Sequence, residues 1–88
     1  MIATFDFTGK KAIITGAAGC YASWLAKAFN DANADLWLVD MDGDELAKLA
    51  SSLNGKGEVN TSIMDLTVEE NIVRLQNEIG EKWEIRGV

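Results

Sequence analysis

Apolar residues along the chain switch between two spacings, and the switches divide it into six elements. Ala12-Ile13-Ile14-Thr15 is a short continuous apolar run, the pattern of a strand buried on both faces. Ala22, Leu25, Ala26 and Phe29 then fall at i, i+3, i+4 and i+7, one stripe of a helix over residues 23–32. Asn33 stands where that helix should stop, because asparagine tolerates the left-handed conformation used at C-caps. Leu36-Trp37-Leu38-Val39 predicts a second buried strand, ended by Asp40. Asp42-Gly43-Asp44-Glu45 has the spacing of a capping box, and Leu46, Leu49, Ala50 and Leu53 form the stripe of the helix it opens. Asn54-Gly55-Lys56-Gly57 predicts a flexible loop. Val59, Thr61 and Ile63 alternate with Asn60 and Ser62, predicting a third strand with one wetter face, suited to a sheet edge. Thr67-Val68-Glu69-Glu70 reads as a second capping box. Val68, Ile72, Leu75 and Ile79 continue it at helical spacing, with Gly80 as C-cap. The ends are less regular. Ile2, Phe5 and Phe7 precede a polar Gly9-Lys10-Lys11 turn, and residues 81–88 carry no assignable pattern.

Strands alternating with helices predict an α/β chain with a parallel sheet. Right-handed crossovers make it half of a doubly wound, Rossmann-like sheet, β-α-β-α-β-α with strand order 3-2-1. Residues 1–88 then form a single incomplete domain, with 81–88 as an unassigned tail. In such a half, the first two helices cover one sheet face and the third crosses to the other. The first strand, central in the complete fold, becomes an edge. Apolar surface and an unpaired edge are left over, so the isolated chain is expected to be marginal. It should self-associate or pair with further C-terminal sequence; a sharp monomer in sedimentation that unfolds cooperatively at high temperature contradicts this.

The link after the first strand reads T-G-A-A-G-C-Y-A over residues 15–22. Strand, glycine turn and helix is the context in which such a link cradles phosphate. Gly16 permits a tight exit from the strand, Gly19 a close backbone approach, and Ala22 close packing of helix on strand. The free N–H groups of the first helical turn, at the positive end of the helix dipole, then face a pyrophosphate. Asp40 lies 21 positions after Gly19, at the carboxyl end of the second strand. A dinucleotide fold places an acid there to accept from the ribose hydroxyls. By itself Asp40 would be a solvated loop acid; coupled to the upstream turn, the ribose reading is the better one. A carboxylate at this point repels a 2′-phosphate, and no arginine or lysine is near in sequence, so NAD is favoured over NADP. Asp65 ends the third strand, as an adenine contact or as a simple turn acid. Cys20, at a helix N-terminus, is either a reactive thiol or, more commonly, a small filler beside the cofactor. Tyr21 has no lysine four residues on and is expected to pack near the nicotinamide end or the helix start. Trp24, Trp37 and Trp83 are expected to be packing residues.

Composition narrows the partners. The net charge is −6 with no basic cluster, which argues against nucleic acid and anionic membranes. One cysteine cannot form an internal disulfide, and the absence of histidine removes histidine-based triads and zinc sites. No apolar run reaches the ~18 residues of a membrane span, and residues 1–11 lack a signal-peptide profile, so a cytoplasmic location is the default expectation.

On these residues the chain resembles the N-terminal third of the short-chain dehydrogenase/reductase family. The resemblance is carried by residues 9–19, Ala26-Lys27-Ala28-Phe29, Leu38-Val39-Asp40 and Met64-Asp65-Leu66-Thr67, and extends to Gly80. Thr15, Gly16, Gly19 and Ala22 match a T-G-x-x-G-x-x-[GA] form; against the commoner T-G-x-x-x-G-x-G form, Cys20 and Ala22 replace two glycines. The resemblance implies that Gly16–Tyr21, with Gly16, Ala18, Gly19, Cys20 and Tyr21 as contacts, line the pyrophosphate, Asp40 takes the ribose, and Asp65 and Leu66 take the adenine, with Met41 beside Asp40 also on the cofactor. It implies hydride transfer between nicotinamide and an alcohol or carbonyl carbon in the full-length relatives. The family's Asn-Asn-Ala-Gly strand, catalytic serine and Tyr-x-x-x-Lys pair do not occur in these 88 residues. Three readings follow: the cofactor-binding portion of an NAD-dependent oxidoreductase, a non-catalytic nucleotide-binding or interaction module, or a remnant without a ligand.

Overall fold

The structure, a computed structural model, describes residues 6–84; Ile2, Phe5 and residues 85–88 of the expected tail lie outside that range. Six elements alternate as expected: β1 (Lys11–Thr15), α1 (Cys20–Asp31), β2 (Asp35–Asp40), α2 (Gly43–Ser51), β3 (Val59–Ile63) and α3 (Glu69–Trp83). Both strand pairs are parallel, and the sheet runs β1-β2-β3 with β2 between its neighbours. Helix α1 begins three residues before the expected 23, because Gly19 leaves the strand path in an extended conformation and serves as N-cap.

Alternation along β2 sends side chains to two separate cores. Leu36 and Leu38 meet Ile14, Ala26, Leu46 and Leu49 under α1 and α2, whereas Trp37 and Val39 meet Met64, Leu75, Ile79 and Trp83 under α3. Two helices on one face and the third on the other is the division expected of half a doubly wound sheet. The continuous run in β1 does not make it doubly buried, however. Ile14 is buried, but Ile13, opposite Trp37 on the α3 face, is 45% exposed. Strand β1 is an outer strand here, and α3 packs over β2 and beyond it.

Strand β3 corrects the expected faces. Val59 joins the α1–α2 core, but Ile63 on that same face is 63% exposed. The face expected to be wet lies beneath α3, and Ser62 is buried there. Its hydroxyl accepts from Trp37 Nε1 at 2.9 Å and donates to Glu78 Oε2 at 3.1 Å, which satisfies the buried polar group.

Asn33 adopts φ 70, as the expected helix stop requires, and Asp42 Oδ1 caps α2 by accepting from the Glu45 amide at 3.1 Å. The reciprocal half of the expected capping box does not form, because the Asp42 amide donates to Asp40 and Glu45 pairs with Lys48. The 54–57 loop is not free, as its glycine-rich sequence suggested. Asn30 Oδ1 accepts from the Gly55 amide at 2.7 Å and Asn33 Oδ1 from the Lys56 amide at 3.2 Å, fastening the loop to the end of α1. The second capping box does not form. Thr67 donates its hydroxyl to Asp65 Oδ1 at 2.6 Å, and α3 starts after Val68 with no side-chain cap. Nor does Gly80 end α3. The helix continues to Trp83, whose ring stands edge-on to Trp37 at 5.2 Å, and stops at left-handed Glu84. Trp37 and Trp83 pack as expected; Trp24 is 68% exposed.

An ionic network ties the strand starts to the end of α3. Lys11 Nζ lies 3.1 Å from Asp35 Oδ2 and 5.0 Å from the centre of the Trp83 ring. Asp35 Oδ1 accepts from the Glu58 amide, and Glu58 Oε2 accepts from Asn60 Nδ2 at 2.7 Å and faces Lys82 Nζ at 3.6 Å. The Glu58 amide, then Lys11, holds Asp35 below its ordinary pKa; the Asn60 amide group, then Trp83 and Lys82, does the same for Glu58. A carboxylate lowered by folding stabilises the native state above its unfolded pKa, and that contribution disappears as pH falls through the folded value. The urea midpoint should therefore fall between about pH 5 and about pH 3, and Asp35→Asn should flatten the drop.

Candidate functional site

Parallel pairing brings three strand ends to one edge of the sheet. Thr15 stands opposite Val39 and Asp40 opposite Ile63, so the links after β1, β2 and β3 border one cleft. Its volume is about 380 Å³, and Thr15, Gly16, Val39, Asp40, Met41, Met64, Asp65, Leu66 and Thr67 line it. Five of the expected residues, Gly16, Asp40, Met41, Asp65 and Leu66, are thus assembled from three links. Thr15, Val39, Met64 and Thr67 join them without an expected ligand role, although Thr15, Val39 and Met64 each sit at or beside a predicted strand end.

The turn itself is more self-contained than its sequence suggested. Gly16 has φ 63, the left-handed conformation that a side chain would oppose. Ala17 is fully buried and donates its amide to Val39 O at 3.0 Å. The Ala18 amide donates to Asp40 Oδ2 at 3.0 Å, and the Gly19 amide to Gly16 O at 2.9 Å. Gly16, Ala18 and Gly19 therefore shape the turn, with the Ala18 and Gly19 amides bonded inside it. Ser23 N is taken by Gly19 O, which leaves the amides of Cys20, Tyr21 and Ala22 without a partner among the described residues. Those three form the exposed donor group expected at a helix start. No acidic side chain occupies the first turn of α1 to compete with an anion. The Cys20 thiol is exposed. Tyr21 is 85% exposed, so of its two expected places the one packed against the helix start is not seen.

Asp40 is half-buried at the mouth of the cleft. Besides Ala18, it accepts from the Asp42 amide through Oδ1 at 2.9 Å. Asp65 serves its own link. Oδ1 accepts from the amide and hydroxyl of Thr67, which hold its pKa below the ordinary value, and its carbonyl accepts from Asn71 Nδ2 at 2.9 Å. Asp65 Oδ1 therefore braces the link after β3. The surroundings of Asp40 are acidic, with Asp42, Asp44 and Glu45 opening α2. On the other side of the turn the fold does something sequence proximity did not suggest. Ala18 and Ser23 share a shallow groove between α1 and α2 with Lys27 and Lys48, the latter paired with Glu45 at 3.2 Å. Among the described residues no cluster of three metal-ligating side chains occurs, and no helix is long and apolar enough to cross a membrane.

No family model and no curated protein matches the sequence. Solved structures do match. A short-chain dehydrogenase/reductase (glucose/ribitol dehydrogenase) from Brucella melitensis has a TM-score of 0.81 at 25% identity, covering 90% of this chain and 32% of that one. A protein described as a D-mannonate oxidoreductase from Haemophilus influenza, solved with bound NAD, has a TM-score of 0.77 at 29% identity over 89% of this chain and 28% of its own. L-Sorbose reductase from Gluconobacter frateurii, solved with NADPH and L-sorbose, has a TM-score of 0.80 at 23% identity over 90% and 31%. The chain therefore spans about a third of the length of the solved structures it matches. Together with the order of turn, Asp40 and third-strand link, these likenesses show a fold similar to the N-terminal portion of short-chain dehydrogenase/reductase structures.

Proposed function

We propose that this chain is the dinucleotide-binding portion of an NAD-dependent oxidoreductase of the short-chain type, acting on an alcohol or carbonyl substrate. The observation that carries this is the half-buried Asp40 carboxylate, which lines one cleft with Gly16 and is bonded to the Ala18 amide of the turn. The start of α1 that follows the turn has three amides without a partner among the described residues. The amides of Cys20, Tyr21 and Ala22 would face the pyrophosphate, Asp40 and Met41 the ribose, and Asp65 and Leu66 the adenine. When bound, a nicotinamide dinucleotide supplies a hydride donor or acceptor. The tyrosine–lysine pair and serine that would move the proton are not among these residues, since the sole tyrosine, Tyr21, is followed four positions later by Leu25. A non-catalytic nucleotide-binding or protein-interaction module is the second reading.

NAD over NADP is supported by the acids that surround the ribose end. The Lys27–Lys48 groove beside Ala18 favours NADP, which makes the comparison worth measuring. Calorimetric titration of the chain should give micromolar to millimolar affinity for NAD and weaker affinity for NADP. Asp40→Ala should weaken NAD binding by roughly 10- to 100-fold, the worth of hydrogen bonds to a charged group. Absence of binding to either nucleotide overturns the proposal. Self-association, or pairing with further sequence, is supported by the outer position of β1 with Ile13 exposed on it, and by the exposed Tyr21, Trp24 and Leu25 of α1.

A further inference from the structure

We infer that Asp40 is also a positioning residue, the clamp that holds the glycine turn in its phosphate-facing shape. The inference rests on the dinucleotide reading for its ligand, and on the unliganded chain for its geometry. The turn has no polar side chain of its own: residues 16–19 are Gly, Ala, Ala and Gly, and the N-cap of α1 makes no side-chain bond. Two backbone bonds shape it, from Ala17 to Val39 and from Gly19 to Gly16. Among the described residues, the only side chain hydrogen-bonded to it is that of Asp40, through the Ala18 amide, from 22 positions away on the neighbouring strand. A carboxylate acceptor makes this a charge-assisted bond, stronger than a neutral one.

Lone-pair arithmetic lets one group do both tasks. An ionised carboxylate has about four acceptor sites, two on each oxygen. Ala18 takes one on Oδ2 and Asp42 one on Oδ1, which leaves one on each oxygen. Two vicinal sugar hydroxyls need two acceptors. Asp40 can therefore accept from a ribose without releasing the turn, so sugar recognition and phosphate geometry depend on the same side chain. Substitutions meant to admit a 2′-phosphate would then weaken both nucleotides. Asparagine is not a conservative replacement, because its NH2 group would face one of the two amide donors.

Amide hydrogen exchange on the unliganded 88-residue chain, read by NMR, tests the clamp directly. The Ala18 and Asp42 amides should exchange at least about tenfold more slowly than those of Cys20 and Tyr21. Asp40→Asn should speed Ala18 and Asp42 by about tenfold while leaving Leu38 in β2 and Leu75 in α3 unchanged. A residue acting only through overall stability would accelerate all four alike, and that result overturns the inference, as does no acceleration at Ala18. If Asp40→Asn does not fold, the wild-type comparison decides: Ala18 exchanging as fast as Cys20 and Tyr21 overturns the clamp. Failure of the two ideas is separable. A protected Ala18 in a chain that ignores NAD ends the dinucleotide reading alone, and an unprotected Ala18 in a chain that binds NAD ends the clamp alone.

Discussion

Gly57→Ala is expected to remove about 2–4 kcal/mol of stability, a large fraction of what a domain of this size possesses. The cause is steric. A Cβ at residue 57 would lie 2.0 Å from the carbonyl oxygen of Ala34 and 2.6 Å from its carbon, so backbone would have to yield to backbone. Position 55 faces the same obstacle, with a Cβ 2.0 Å from Asn30 O. The two glycines let the link between α2 and β3 lie flat against the turn between α1 and β2, where Asn30 and Asn33 fasten it. Gly43→Ala is the control. Its Cβ would meet only the Ile63 side chain, closest at Cδ1, 3.0 Å away, the far end of an exposed and movable group, and alanine favours the first turn of α2. Urea denaturation should place Gly57→Ala far below wild type and Gly43→Ala within about 0.5 kcal/mol of it. Equal midpoints for all three chains would refute the close-packed crossing.

Trp83→Ala should cost about 3–5 kcal/mol, whereas Trp24→Ala should cost less than about 0.5 kcal/mol. Trp83 is 8% exposed, stands edge-on to Trp37, carries Lys11 over its ring, and donates to Glu58 from Nε1 at 3.4 Å. It is the third member of the Leu75–Ile79–Trp83 stripe, spaced four residues apart, which holds α3 to the sheet. Its loss opens a cavity beside Trp37 and leaves the last turn of α3, beyond Gly80, nothing to pack on. Trp24, on the outward side of α1, has almost nothing to lose. Thermal melts of the two variants read the difference, and near-equal losses would mean that α3 ends at Gly80 after all.

Much of the candidate site was legible because its parts are local. A glycine with positive φ directly after a strand, the order of turn and acid, and the Asp42 cap are each fixed within a few residues. The errors share a cause of the opposite kind. Thr67 had the right spacing for a capping box but found a nearer partner in Asp65. Gly80 looked like a helix end, yet tertiary contact at Trp83 outweighed the small cost of glycine inside a helix. The 54–57 loop looked loose because its restraints come from Asn30 and Asn33, more than twenty positions away. For the same reason Lys27 and Lys48 became neighbours of the turn only once α1 and α2 packed side by side.

By itself the amino-acid order determined the six alternating elements, the two-sided burial of β2 and the position of the glycine turn, because periodicity and backbone preference act over a single element. Only the tertiary structure decided which strand face is wet, where α3 stops, and which turn amides remain unpaired. Those outcomes depend on groups that meet from distant parts of the chain. The pairing of Ala18 with Asp40 belongs to this second kind, since nothing short of two parallel strands in register could bring that amide to that carboxylate.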